Sequence, residues 1–233
     1  MQARDRQILE HVGRYRLTTR PALDKLFFPS SSGCGNVLAR LLSNRMLRRR
    51  PGLPGRRSHY QLTEKSAAEV GVPVSRTVQS GPQALREALS ILAYCVLEVR
   101  PASTTSRMRL EVAELAELTG ARFGPGPSPH VLEVSEEHRI YRVSTPSPTT
   151  RSGSIVRGAA TWLEKATATE ALKSWVQAGK YAYLVLAEVQ RVPDVARAVG
   201  RAGLDHCVQV RPIPSPSTGR GASNDDPVSQ RSH

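Results

Sequence analysis

The chain has 233 residues, 39% hydrophobic and 5% aromatic, with a formal net charge of +13. That is enough apolar material for one large domain or two small ones, and the charge points to a polyanionic partner. No apolar run approaches the ~18–20 residues of a membrane span and no charged-then-apolar leader opens the chain, so the expectation is a cytoplasmic protein with no membrane partner. Cys34, Cys95 and Cys207 are far apart and form neither a disulfide framework nor a Cys-x-x-Cys pair. The charge is uneven. Residues 1–76 hold 15 Lys/Arg against 5 Asp/Glu, residues 77–211 hold 16 against 13, and residues 212–233 hold 2 against 2.

In chain order, Ile8, Leu9 and Val12 share one face of a first helix over 4–12, which Gly13 can end before a short extended link. Thr18 or Thr19 with Pro21 marks the start of a second helix, reaching Phe28. After the turn at 29–33, with Ser32 as cap, a third helix runs to about Asn44 and places Leu38, Leu41 and Leu42 on one stripe. The strand 46–50, the breaker run 51–55 and the strand 58–62 then read as a basic hairpin, with Tyr60 and Leu62 alternating with His59 and Gln61. Thr63 caps another helix, closed by Gly71. Helix, helix, helix, strand, basic tip, strand, helix is the order of a winged helix-turn-helix.

Residues 72–80 read as a linker. The longest helical pattern follows over 83–97, where Leu85, Leu89, Leu92 and Val96 recur and Ala88, Ile91 and Cys95 widen the face. So wide an apolar face is buried, either against the second domain or against another copy of the chain, which would make a homodimer. Residues 101–107 read as a polar loop and 110–118 as an amphipathic helix. The period then shifts. A hairpin over 130–143 is followed by a helix over 155–176 with a break near 167–169, the apolar strand Tyr181 to Val189, a helix over 192–202 and a strand over 206–210. Residues 212–233 are rich in Pro, Ser and Gly with almost no core formers and read as a disordered tail. The fold class is therefore α+β: a winged helix over 1–76, a helical connector over 77–120, a small α/β domain over 121–211 (β-hairpin, helix, strand, helix, strand), and the tail.

Catalytic signatures are scarce. No GxxxxGK[ST] or GxGxxG loop is present, and His130, His138 and His206 lack metal-ligand spacing. A hairpin followed by helix, strand, helix and strand matches the element order of a restriction-endonuclease-like core, which needs an acid at the hairpin and Glu-x-Lys on the next strand to hold a metal and activate water. Glu133 and Glu188 are the only strand carboxylates, and no lysine lies two residues beyond either. The expectation is a non-enzymatic protein without metal or cofactor. A metal-dependent nuclease, or an inactive remnant of one, is the alternative, and an adaptor that binds protein or RNA through the basic tip is another.

The segments DRQILEHVGRYRLTTRPALDKLFF, LARLLSNRMLRR and HYQLTEKSAAEVG resemble the plasmid replication-relaxation family over residues 4–71. The resemblance implies a bacterial DNA-binding protein linked to replication or its control. On this reading double-stranded DNA is the partner. Asn36, Arg40, Asn44 and Arg45 of the third helix face the major groove, while Arg48, Arg49, Arg50, Arg56 and Arg57 grip phosphates or enter the minor groove.

Overall fold

The computed structural model describes residues 2–29, 33–53, 57–98, 104–123 and 129–214. Expectations that fall on Ser32, Arg56 and 215–233 lie outside these residues. The fold is α+β, with two sheets.

The first unit comprises α1 (Ala3–Tyr15), α2 (Arg20–Phe27), α3 (Cys34–Ser43), the antiparallel pair β1 (Leu47–Arg50) and β2 (His59–Leu62), and α4 (Glu64–Glu69). Ile8, Leu9 and Val12 of α1 meet Leu23, Leu38, Leu41, Leu47 and Leu62 in one buried cluster, so the stripe read from the sequence is the core face. Gly13 does not end α1. It lies inside the helix, where an added Cβ would stand 3.0 Å from Val72 Cγ1, so glycine permits close packing there. The helix stops at Arg16, whose φ of 68° is left-handed. Thr18 then exchanges two 2.9 Å backbone hydrogen bonds with Tyr60, fastening the extended link to β2. Thr63 caps α4 by accepting from the Ser66 N–H, as its residue type favours.

A five-stranded sheet forms the second unit, in the order β3 (Ser106–Leu110), β4 (His130–Val134), β5 (His138–Ser144), β6 (Tyr181–Ala187), β7 (Val208–Pro212). The pairs β3–β4 and β4–β5 are antiparallel, and β5–β6 and β6–β7 are parallel. Within the loop expected over 101–107, of which 101–103 lie outside the described residues, strand β3 takes 106–107, and the helix expected from 110 starts later, since α6 spans Val112–Thr119. The alternation in Ser106-Arg-Met-Arg-Leu110 is too short and too basic to announce a strand by itself. Both parallel crossovers are helical, through α7 (Ser152–Ala168) and α8 (Glu170–Gln177), then α9 (Val192–Arg201). These helices cover the sheet face carrying Ile140, Tyr181, Tyr183, Val185 and Val208.

The opposite face, with Val131, Tyr141, Val143, Ala182, Leu184 and Leu186, is covered by α5 (Pro82–Leu92) and the π-helical turn that continues it (Ala93–Leu97). Behind this helix stand Tyr15, Leu17 and Ala22 of the first unit. Residues 91–96 are all buried because the helix lies between sheet and first unit, and a helix apolar all round belongs in such a place. Of the two outcomes for the 83–97 face, the chain's own sheet is the one found. Among the described residues no helix is long and apolar enough to cross a membrane.

Candidate functional site

The basic surface of the first unit is built by the end of α3, the sharp exit to β1, and the β1–β2 hairpin. Asn36 is exposed on α3, and Asn44 is exposed at its C-terminal cap. Arg45 follows in a left-handed conformation, φ 54°, which swings the chain from helix into strand and leaves its side chain exposed. The Thr63 hydroxyl donates to the Arg45 carbonyl at 2.7 Å and holds the bend.

Arg40 occupies a different place from the one its sequence position suggests. Its Nη2 donates to Asp5 Oδ1 at 2.6 Å and to Gln2 Oε1 at 3.1 Å, so the guanidinium ties α3 to the start of α1. Asp5 is buried, and this pairing satisfies a carboxylate that would otherwise be stranded. Arg40 is therefore a brace for α3.

On the hairpin, Arg48 pairs across with Gln61, Arg49 with Tyr60 and Arg50 with His59. Side chains alternate along a strand, so Arg48 and Arg50 share a face with Gln61 and His59, both buried. Arg49 stands on the other face, is exposed, and donates from Nε to Ser58 Oγ at 2.8 Å. Arg50 is half-buried and lowers the pKa of His59, behind the larger effect of burial. The hairpin leans on α5: a Cβ at Gly52 would stand 3.8 Å from Leu85 Cδ2. Arg57, the first described residue after residue 53, is exposed. Arg45, Arg48, Arg49 and Arg50 enter no ion pair among the described residues.

Several arginines elsewhere are paired with acids. Arg14 forms a two-pronged pair with Glu114 at 2.7 Å, Arg76 a two-pronged pair with Glu111, and Arg86 meets Glu188 at 3.2 Å. Arg107 bonds Glu133 at 2.6 Å and Glu98 at 2.7 Å while lying 4.1 Å over the Tyr94 ring. Of the two carboxylates a nuclease reading would call on, Glu133 lies on β4 while Glu188, expected on a strand, lies just past the end of β6, and both are already held. Among the described residues no group of three or more His, Cys, Asp or Glu side chains converges in metal-binding fashion. A cavity of about 580 Å³ does open beside the end of β5 and the start of α7, with Arg142, Tyr183 and Ser154 in its wall. Its one carboxylate is Glu87, whose pKa burial raises.

The sequence reading missed a second cavity, between the two units, where Arg16, Arg76 and Arg109 meet. These three are 93 residues apart at the extremes, and an arginine about to be buried carries no mark in the sequence. Compared with known proteins, the chain matches no family model, no curated protein and no solved structure.

Proposed function

We propose that the chain is a non-enzymatic double-stranded-DNA-binding protein, its first unit a winged helix with α3 as recognition helix and the β1–β2 hairpin as wing. The observation that carries this reading is the set of unneutralised arginines, Arg45, Arg48, Arg49 and Arg50, gathered at the end of α3 and along β1. By contrast Arg14, Arg76, Arg86 and Arg107 each meet an acid of the chain. Exposed Asn36, Asn44 and Arg45 have the donors and acceptors that read base edges in a major groove. Arg49 and Arg57, exposed on the hairpin, supply phosphate contacts. Arg48 and Arg50 add field from a more sheltered position. We extend the proposal to a cytoplasmic role in bacterial plasmid replication or its control, the role implied by the resemblance of residues 4–71 to the replication-relaxation family.

A salt titration of duplex binding tests the wing. Each phosphate contact removed should flatten the log–log salt slope by about 0.9. Arg49→Ala/Arg57→Ala should therefore weaken binding to all duplex sequences alike and reduce the slope by up to about 2. Unchanged affinity and slope would remove the hairpin from the interface. Substitution of Asn36 or Asn44 should instead alter which duplexes are selected from a random pool.

A further inference from the structure

The cavity between the units has a volume of about 300 Å³ and takes its walls from both: Arg16, Ser75 and Arg76 from one side, Arg109, Glu111 and Pro129 from the other. Arg109, on β3, is 9% exposed. Among the described residues its only side-chain hydrogen bond is from Nη1 to the Tyr15 carbonyl, at a long 3.4 Å. A guanidinium has five donors in a rigid fork, and burying it with one weak acceptor is costly unless something else takes the rest.

Protein acids do not fill that role. Glu111, the one acid in the wall, is engaged by both prongs of Arg76. Glu87 of α5 feels the charges of Arg109 and Arg16 but makes an ion pair with neither, and burial favours its neutral form. Arg16 adds a second guanidinium from the left-handed end of α1. Burial, with Arg16 close by, depresses the Arg109 pKa to about 10. Three guanidinium groups against one carboxylate leave an excess of positive charge around a small, half-enclosed space.

We propose that this cavity is a binding site for a small phosphate monoester, gripped by Arg109 at its base and Arg16 at its rim. Guanidinium forks match tetrahedral oxyanions, and a monoester carries close to two negative charges at neutral pH. The volume is at the lower end for small-ligand pockets, which suits a ligand of a few heavy atoms beyond the phosphate. Because both units contribute walls, occupancy fastens one to the other. The site is independent of the DNA-binding reading.

The test uses the full chain with inorganic phosphate and glycerol phosphate as probes, sodium chloride holding ionic strength constant. Both probes should raise Tm progressively, since a ligand that binds only the folded state stabilises it by mass action. Calorimetric titration should give one site per chain. The hairpin arginines also attract phosphate, so variants separate the two places. Arg16→Gln should weaken binding about tenfold or more, the worth of a charge-assisted bond, and Arg109→Lys should do the same by losing the fork. Arg49→Ala/Arg57→Ala should leave it unchanged. Equal Tm in phosphate and in chloride overturns the proposal, as does an effect lost in the hairpin variant but kept in Arg16→Gln. If Arg109→Lys does not fold, the exposed Arg16 decides the question alone.

Discussion

Asp5 is 5% exposed at the first turn of α1, where it takes both Arg40 and the Gln2 N–H. Arg40→Ala would strand that carboxylate, and an unsatisfied buried group costs about 1–3 kcal/mol. Urea unfolding should show that loss for Arg40→Ala and a change within about 0.5 kcal/mol for the exposed Asn36→Ala. Equal effects would mean that Arg40 does not brace the helix. His11 makes a second residue-scale case. Its ring lies 4.8 Å from that of Tyr15 and its Nε2 is 3.1 Å from Thr18 Oγ1, and burial, then the charge of Arg14, lowers its pKa to about 4. The unfolded chain titrates near about 6.5 and so binds more protons than the folded chain between these values. Stability is therefore full above the unfolded pKa and falls as pH drops toward the folded one. The loss is of order 2 kcal/mol once partial exposure is allowed for. His59, also lowered by burial, adds to the trend with the same sign. His11→Gln removes one contribution only, so the gap between wild type and variant should shrink from pH 7.5 to pH 4.5. A constant gap would show that His11 is not held neutral.

Elements with a strong period were legible in the sequence, and those shaped by a neighbour were not. The stripes of α1 and α3, the Thr63 cap and the apolar run of β6 follow from residue pattern alone, because each face has one kind of environment. The break at Thr169 between α7 and α8 was visible for the same reason. Strand β3 was hidden. Arg107 and Arg109 look like loop residues until Glu133, Glu98 and Tyr94 supply their partners. The end of α1 was misread at Gly13 because the reason for a glycine there is Val72, 59 positions away. On the candidate surface the outcome divides in the same way. Asn36, Asn44, Arg45 and Arg49 are exposed where the pattern put them, whereas Arg40 is withdrawn by Asp5 and Arg50 is half-buried beside His59. A charge count locates a basic region, but which arginines remain open depends on acids distant in the chain.

At the scale of the whole molecule the two units share one buried cluster, which groups Ile91 and Leu92 of α5 with Tyr15 and Leu17 of the first unit and with the sheet residues Tyr141 and Leu184. Ion pairs cross the same boundary, from Arg14 to Glu114 and from Arg76 to Glu111, and Arg14 also donates to the Arg109 carbonyl at 2.7 Å. Such a junction couples unfolding of the parts more tightly than a polar linker would, since opening it exposes apolar surface on both sides and strands charges. The two tryptophans, Trp162 in α7 and Trp175 in α8, report the second unit, while far-UV circular dichroism reports helices of both. The two signals should give one coincident transition in urea, as a single cooperative unit requires. Ile91 is fully buried, and Ile91→Ala should lower stability by about 2–4 kcal/mol through lost burial and the cavity left behind. Both probes should shift together, because the residue belongs to neither unit alone. Should tryptophan fluorescence keep its midpoint while circular dichroism splits into two steps, the first unit would be unfolding by itself, and α5 would serve only as a tether.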